Sequence, residues 1–239
     1  MPSDPSTMAL VLFLVTLGAA LQGVAGIGIG LVAAPPLMLI APEFIPGPLM
    51  ASGTLLTGLV AYQGRDSIDF RGVGPALVGR AMGTAVAAAF LALASTRFFI
   101  LAFGSLVLLG VALSLSGLRL RPTPLSAGCA GLLSGFMGTI SSIGGPPMAL
   151  LYQHESAARL RSTLAIYFVM GVGFSLAALH AVGLYGWKEF ELTLVLCPSM
   201  LAGFLLARPL QSHLPEDMVR PIVLGASLLL ALGVIGRAL

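Results

Sequence analysis

Charged side chains are scarce in this chain. They make up 9% of its 239 residues, while hydrophobic residues make up 57%. A soluble domain is typically about a quarter charged, so this composition excludes a water-soluble globule. Apolar runs of roughly 18 residues or more recur along the whole sequence, as is typical of a polytopic membrane protein.

Residues that carry catalytic or metal chemistry are also few. Cys129 and Cys197 lie in separate apolar segments with no metal or redox motif around them. No Asp or Glu lies in the centre of an apolar segment, and neither H-E-x-x-H nor G-x-S-x-G occurs. The N-terminus has no Lys or Arg before its apolar run, unlike a secretory signal. We therefore expect no enzyme, no cofactor or metal, and no nucleic-acid partner.

Two of the apolar segments are longer than the rest and are interrupted. The segments cover residues 8–40, 46–63, 72–94, 97–118, 124–152, 162–185, 190–208 and 218–238. The first and fifth run about 30 residues, whereas roughly 20 cross a bilayer. Each is broken by glycines and then by two consecutive prolines. Such residues weaken a helix, so a break is expected inside each segment.

The interrupted segments open two similar halves of the chain. The interval from Gly23 to Pro35 is 12 residues, and that from Gly135 to Pro146 is 11. Further landmarks recur in the same order, because Pro75, Gly79 and Gly83 correspond to Pro198, Gly203 and Ala207. We predict two repeats, residues 8–118 and 125–238, joined by a linker at 119–124.

The loop cations indicate how the interrupted segments cross the membrane. Positive residues collect on the cytoplasmic side of short loops. If each interrupted segment crossed the membrane once, the loop cations would be divided about evenly between the two faces of the membrane. Hairpins would place eight on one face (Arg65, Arg71, Arg119, Arg121, Arg159, Arg161, Arg208 and Arg220) and three on the other (Arg97, Lys188 and Arg237). The bias favours hairpins, an N-terminus outside and an all-α fold of two inverted repeats. In each repeat, a broken or hairpin first helix precedes three transmembrane helices.

Inverted repeats with broken helices are the architecture of many secondary transporters, which hold substrate near the midplane. Backbone N–H groups at a break and the positive end of a half-helix favour an anion. The glycines and hydroxyls at and after the breaks are therefore candidate binding residues: Gly26, Gly28, Gly30, Ser52, Thr54, Gly138, Thr139, Ser141, Ser142, Gly144, Gly145 and Ser162. The alternatives are helix packing for the glycines and bonds to their own helix for the hydroxyls.

Arg80 is the strongest single candidate for a binding residue. It lies about nine positions into segment 72–94, too deep to reach the membrane surface easily. An intramembrane cation is costly and indicates a functional site by default. The alternative is a structural arginine that bonds carbonyls freed by a hairpin.

Ser52, Thr54 and Ser162 open the helices that follow the breaks, where they are expected to cap N-termini.

The two breaks resemble those of the sulfite exporter TauE/SafE family. The resemblance rests on Gly23-Val-Ala-Gly-Ile-Gly-Ile-Gly30 with Pro35-Pro36, and on Gly135-Phe-Met-Gly138 with Ile143-Gly-Gly-Pro-Pro147, and it covers nearly the whole chain. It implies a multi-pass transporter of the plasma membrane (the bacterial inner membrane) that exports sulfite or an organosulfonate such as sulfoacetate by alternating access. Its partners would be a small anionic substrate and the lipid bilayer, and a homodimer is compatible. The alternatives are an anion channel and a membrane-embedded enzyme or assembly factor.

Overall fold

The computed structural model describes residues 4–25, 28–118, 120–152, 156–211 and 216–239. Within these residues it contains ten α-helices and no β-strand. The helices are α1 (Pro5–Ala25), α2 (Ile29–Ile40), α3 (Gly47–Gln63), α4 (Phe70–Leu93), α5 (Thr96–Leu115), α6 (Pro124–Ser141), α7 (Gly145–Tyr152), α8 (Ala157–Ala181), α9 (Trp187–Gln211) and α10 (Glu216–Gly236). Short 3-10 turns cover Pro42–Phe44 and Arg65–Ser67. The predicted all-α fold class is confirmed.

Six of the described helices are long and apolar enough to cross a membrane: α1, α4, α5, α8, α9 and α10. The other four are shorter or less apolar, and α2 and α7 have only 12 and 8 residues. Large apolar side chains such as Phe13, Leu93 and Leu229 are exposed on the outer surface. Extensive exposed apolar surface indicates contact with lipid. The chain is therefore a polytopic membrane protein.

The first interrupted segment folds back on itself at its glycines. Gly28, between α1 and α2, has a φ of 91°, in the region that favours glycine. α2 then packs closely against α1, as the position of Gly18 shows: a Cβ on this residue would lie 3.2 Å from the Cβ of Ala33. Gly26, one of the predicted site residues, lies outside the described residues.

The second interrupted segment also folds back. Ser142, after α6, has a φ of 62° in the left-handed region. α7 returns along α6, and the Ser134 hydroxyl donates to the carbonyl of Gly144 at 2.6 Å. Pro146 and Pro147 lie in the first turn of α7, where their missing N–H groups break no helical hydrogen bond.

The prolines of α2 lie inside the helix, so they do leave a carbonyl free. Pro35 has no N–H to donate to Leu31, four residues earlier. The buried hydroxyl of Ser227 in α10 donates to this Leu31 carbonyl at 2.6 Å. The freed acceptor is thus satisfied by a neighbouring helix, which holds α2 against α10.

Corresponding helices of the two halves make corresponding contacts. α4 packs along α6 as α9 packs along α1, and α2 contacts α10 as α7 contacts α5. Glycine permits both long contacts: a Cβ on Gly79 would lie 2.0 Å from the Gly128 carbonyl oxygen, and one on Gly203 would lie 2.4 Å from that of Thr16. Gly79 thus serves helix packing. The pairing is expected of related halves, while the boundaries 8–118 and 125–238 stay a prediction.

Contacts between helix ends sort the described loops onto two faces. On the Arg65 face, Gly64 at the end of α3 lies against Ser162 near the start of α8. On the Lys188 face, Gly47 at the start of α3 lies against the Tyr185 ring, just before α9. Helices α3 and α8 therefore run in opposite directions. The same holds for α4, which starts at the Arg65 face, and α9, which starts at the Lys188 face.

Candidate functional site

Arg80 is the only charged side chain that is buried among those whose burial the structure describes. It is 1% exposed and is the eleventh residue of the 24-residue helix α4. Glycines make room for it: a Cβ on Gly171 of α8 would lie 1.9 Å from its Nε, and one on Gly144 would lie 2.9 Å from its Nη1. A Cβ on Gly138 of α6 would lie 3.2 Å from Nη2. Arg80 therefore lies where α4, α6, α8 and the second break meet.

The guanidinium of Arg80 has few partners for a buried cation. Its Nη1 donates to the Ser134 hydroxyl at 2.9 Å and to the Ser134 carbonyl at 3.4 Å. The Cζ atom lies 5.3 Å from the ring centroid of Tyr167 and 5.6 Å from that of Phe168, within the range of cation–π attraction. Within the described part of the chain Arg65 has a carboxylate partner, Asp66, whereas no acidic side chain there pairs with Arg80.

Two buried donors at this site lack an acceptor. The Nε of Arg80 and the hydroxyl of Tyr167 have no hydrogen-bond partner among the described residues. Tyr167 is fully buried, and a buried donor without a partner costs about 1–3 kcal/mol. An anion with several oxygen atoms would supply both the acceptors and the missing negative charge.

A group of buried hydroxyls lies one helical turn from Arg80. The Thr139 hydroxyl oxygen is 3.3 Å from that of Thr84, on α4, and 2.9 Å from that of Ser175, on α8. Ser175 also donates to the Gly171 carbonyl at 3.1 Å. The sequence reading selected Thr139 and missed the other two. The available signal was spacing, because Thr84 follows Arg80 by four residues and Ser175 follows Gly171 by four.

The two breaks lie against each other. A Cβ on Gly30 would lie 2.1 Å from the Ser142 carbonyl oxygen, and the Ser142 hydroxyl donates to the Pro46 carbonyl at 3.0 Å. The N–H of Ile29, the first in α2, already donates to the Gln22 side chain at 2.7 Å. One of the backbone donors expected to serve an anion is therefore occupied within the protein.

Other predicted residues do not cluster at Arg80. The expectation that Ser52, Thr54 and Ser162 cap helices is wrong. α3 begins at residue 47, so the Ser52 and Thr54 hydroxyls lie inside it and donate to its own carbonyls. The cap of α8 is Ser156, and Ser162 lies inside the helix. No described contact joins these three predicted residues to Arg80.

The remaining two candidates lie beside the second break. Ser141 is buried at the end of α6, and its hydroxyl donates to the Met137 carbonyl at 2.8 Å. Gly145 is the first residue of α7 and is half-buried. Their role in binding stays a prediction.

The surface between α4 and α6 carries a groove of about 460 Å³. Its lining is apolar and includes Val78, Met82, Leu125 and Leu132, all of which are exposed. A groove of this chemistry at the membrane-facing surface suits lipid chains and lacks the buried donors found at Arg80. The polar site and the groove are therefore separate.

One family of known proteins matches this chain over residues 10–234, and its description is Sulfite exporter TauE/SafE. The chain belongs to the TauE/SafE family. Comparisons with curated proteins and with solved structures gave no match. The TauE/SafE match spans both breaks and Arg80. Membership implies membrane transport of sulfite-type anions, which agrees with the six helices long enough to cross a membrane.

Proposed function

We propose that this TauE/SafE protein is a secondary transporter that exports a small sulfur-containing anion, sulfite or an organosulfonate, by alternating access. The single observation that supports this binding site is the burial of Arg80 inside a membrane helix. A cation buried to 99% inside a membrane helix, with no carboxylate partner among the described residues, calls for a negative counter-charge. A sulfur oxyanion provides that charge and several acceptor oxygens.

The proposed ligands come from three helices and a break. Arg80 would bind the anion through its guanidinium, with the hydroxyl of Tyr167 as a further donor. Ser134, whose own proton goes to the Gly144 carbonyl, would hold the guanidinium in place by accepting from Nη1. Gly138 and Gly144 support the site by their lack of a side chain, since a Cβ on either would crowd the guanidinium. A planar guanidinium matches the oxygen atoms of an oxyanion in a bidentate manner.

The first break would contribute to the same central region. The break turns at Gly28, and Gly30 brings it against Ser142, which is two residues from Gly144 beside Arg80. Thr139 on α6 and Ser175 on α8 lie beside Thr84, one turn beyond Arg80 on α4, and the three hydroxyls would line the path between the Arg80 site and the Lys188 face. Gly26, which lies outside the described residues, and Gly145, the first residue of α7, stay in this proposal as flanking positions.

Alternating access is supported by the relation between the two halves. Corresponding helices run in opposite directions and make corresponding contacts, as expected of inverted repeats. The two broken segments meet at their turns, where a transporter of this architecture places its substrate. We further propose that the protein lies in the plasma membrane with its N-terminus outside. The Arg65 face is then cytoplasmic, since the sequence puts eight cations on it.

The proposal is tested by anion efflux from liposomes containing the purified protein. Arg80→Gln should abolish saturable efflux, while the exposed Arg97→Gln, which removes the same charge at the start of α5, should leave it unchanged. Thermal unfolding of both variants checks that they fold. Normal efflux by a folded Arg80→Gln protein would show that Arg80 is structural.

The same assay tests the breaks and the mechanism. Gly28→Leu and Ser142→Ala should each slow efflux, and unchanged rates in both would remove the breaks from the site. Saturation and acceleration by anion on the opposite side are expected of a carrier. A linear, non-saturating flux would instead identify an anion channel.

A further inference from the structure

The Arg80 site contains one full positive charge. Arginine remains protonated in proteins, and Arg80 is the only buried charged side chain among those whose burial is described. Gly79 in α4 and Gly203 in α9 correspond, because each packs on the backbone of the partner helix. Arg80 follows Gly79 in the sequence and Phe204 follows Gly203, so Phe204 is the position in the second half that corresponds to Arg80. Among the residues whose burial is described, the related halves therefore supply one cation to the membrane interior.

The described side chains around Arg80 add no second full charge. The titratable side chains on the helices packed against α4, apart from Tyr167, are all exposed: Cys129 on α6, and Arg159, Arg161 and His180 on α8. On α4 itself Arg71 lies nine residues earlier, at the start of the helix. The start of α7 is a weak donor, because Pro146 and Pro147 have no N–H.

The aromatic rings beside Arg80 oppose additional negative charge. The guanidinium lies over the faces of Tyr167 and Phe168. The face of an aromatic ring is the negative part of its quadrupole, so it attracts the guanidinium and repels a surplus anion. An ion that exceeds the charge of Arg80 would have to place its excess against apolar side chains or these ring faces.

We infer that the species bound and transported at Arg80 is a monoanion: bisulfite rather than the sulfite dianion, or a monovalent sulfonate rather than a sulfocarboxylate such as sulfoacetate. This inference rests on the proposed function and narrows its substrate class. A monoanion neutralises Arg80, whereas a dianion leaves one buried charge without a partner, which is strongly unfavourable in a low-dielectric interior.

The first test compares two sulfonates with the same two-carbon skeleton in the liposome assay. Isethionate ends in a hydroxymethyl group and is a monoanion, while sulfoacetate ends in a carboxylate and is a dianion. We expect isethionate to leave the liposomes at least about tenfold faster at equal concentration, since tenfold corresponds to only a small part of the penalty for an unpaired buried charge.

The second test varies the pH at constant total sulfite. As the pH rises, bisulfite loses its proton and becomes the dianion, so the sulfite efflux rate should fall with the bisulfite fraction. Methanesulfonate is the matched control, because it stays a monoanion over the same range and reports any effect of pH on the protein. The ratio of the two rates is the readout.

The outcomes separate this inference from the function on which it rests. Sulfoacetate efflux equal to or faster than isethionate efflux, or a sulfite-to-methanesulfonate ratio that holds or rises with pH, overturns the monoanion assignment and leaves anion transport standing. No efflux of any of these anions by the folded protein overturns the proposed function and this assignment together.

Discussion

A methyl group at Gly171 should displace Arg80. A Cβ at this position would lie 1.9 Å from Nε, 2.3 Å from Cδ and 2.7 Å from Cζ of Arg80. Non-bonded heavy atoms approach to about 3.5 Å, so Gly171→Ala requires the guanidinium to move by roughly 1.6 Å. A shift of that size breaks the 2.9 Å hydrogen bond to Ser134. The variant should therefore lose anion efflux.

The stability change follows from two opposing effects. Overpacking of this kind costs typically about 1–3 kcal/mol, while replacing a glycine inside a helix by alanine gains about 0.5–1 kcal/mol. We expect Gly171→Ala to lower the free energy of unfolding by about 1–2 kcal/mol. Gly173→Ala, two residues along the same helix, has no atom within 4 Å of its Cβ. This control should gain about 0.5–1 kcal/mol and keep full efflux.

A double-mutant cycle isolates the contact. Unfolding is followed in detergent for Arg80→Ala, Gly171→Ala and the double variant. With the arginine side chain removed, Gly171→Ala should become as favourable as Gly173→Ala, which gives an interaction energy of about 1–3 kcal/mol. If Gly171→Ala instead stabilises the otherwise unchanged protein and leaves efflux intact, the guanidinium does not lie against α8 and the reasoning fails.

Three further predictions concern the scaffold. Gly83→Ala should lower the free energy of unfolding by about 1–3 kcal/mol, because its Cβ would lie 2.0 Å from a carbonyl oxygen of α6; an unchanged melting temperature would contradict that contact. Ser227→Ala should cost about 1–3 kcal/mol by leaving a buried carbonyl unpaired, and adding Pro35→Ala, which restores an N–H, should recover most of this loss. Recovery by a distant proline replacement to the same extent would argue against a specific bond. In a cysteine-free background, an impermeant thiol reagent should label Leu184→Cys in intact cells and Asp66→Cys only after permeabilisation, and the reverse pattern would invert the proposed orientation.

The sequence was sufficient for the helices and for the two turns. Charge marks the ends of the apolar segments, and their length and composition predict helices because lipid leaves backbone groups no other partner. The described helices follow the eight segments, with the first and fifth each divided in two. The close contact between Gly30 and Ser142 could not be read in advance, since it depends on how the halves meet.

The surroundings of Arg80 were only partly predictable. Arg80 stands out in sequence because a charge is rare in an apolar segment, but Tyr167 and Gly171 lie in α8 with no break or charge beside them. Their role depends on helix packing between residues about ninety positions apart. The capping prediction for Ser52 failed for a local reason: Pro48, near the N-terminus of α3, starts that helix earlier than the hydroxyl position suggested.

The glycine contacts between α4 and α6, and between α9 and α1, determine which parts of the protein can move. At these crossings the helices approach backbone to backbone, which leaves little room for one to slide past the other. Each pair joins one helix from the first half with one from the second. In the proposed transport cycle, the bodies that move would therefore each combine helices of both halves and would not coincide with the sequence repeats. Arg80 on α4 and Ser134 on α6 belong to one such body, so the cation and its hydrogen-bond partner would travel together.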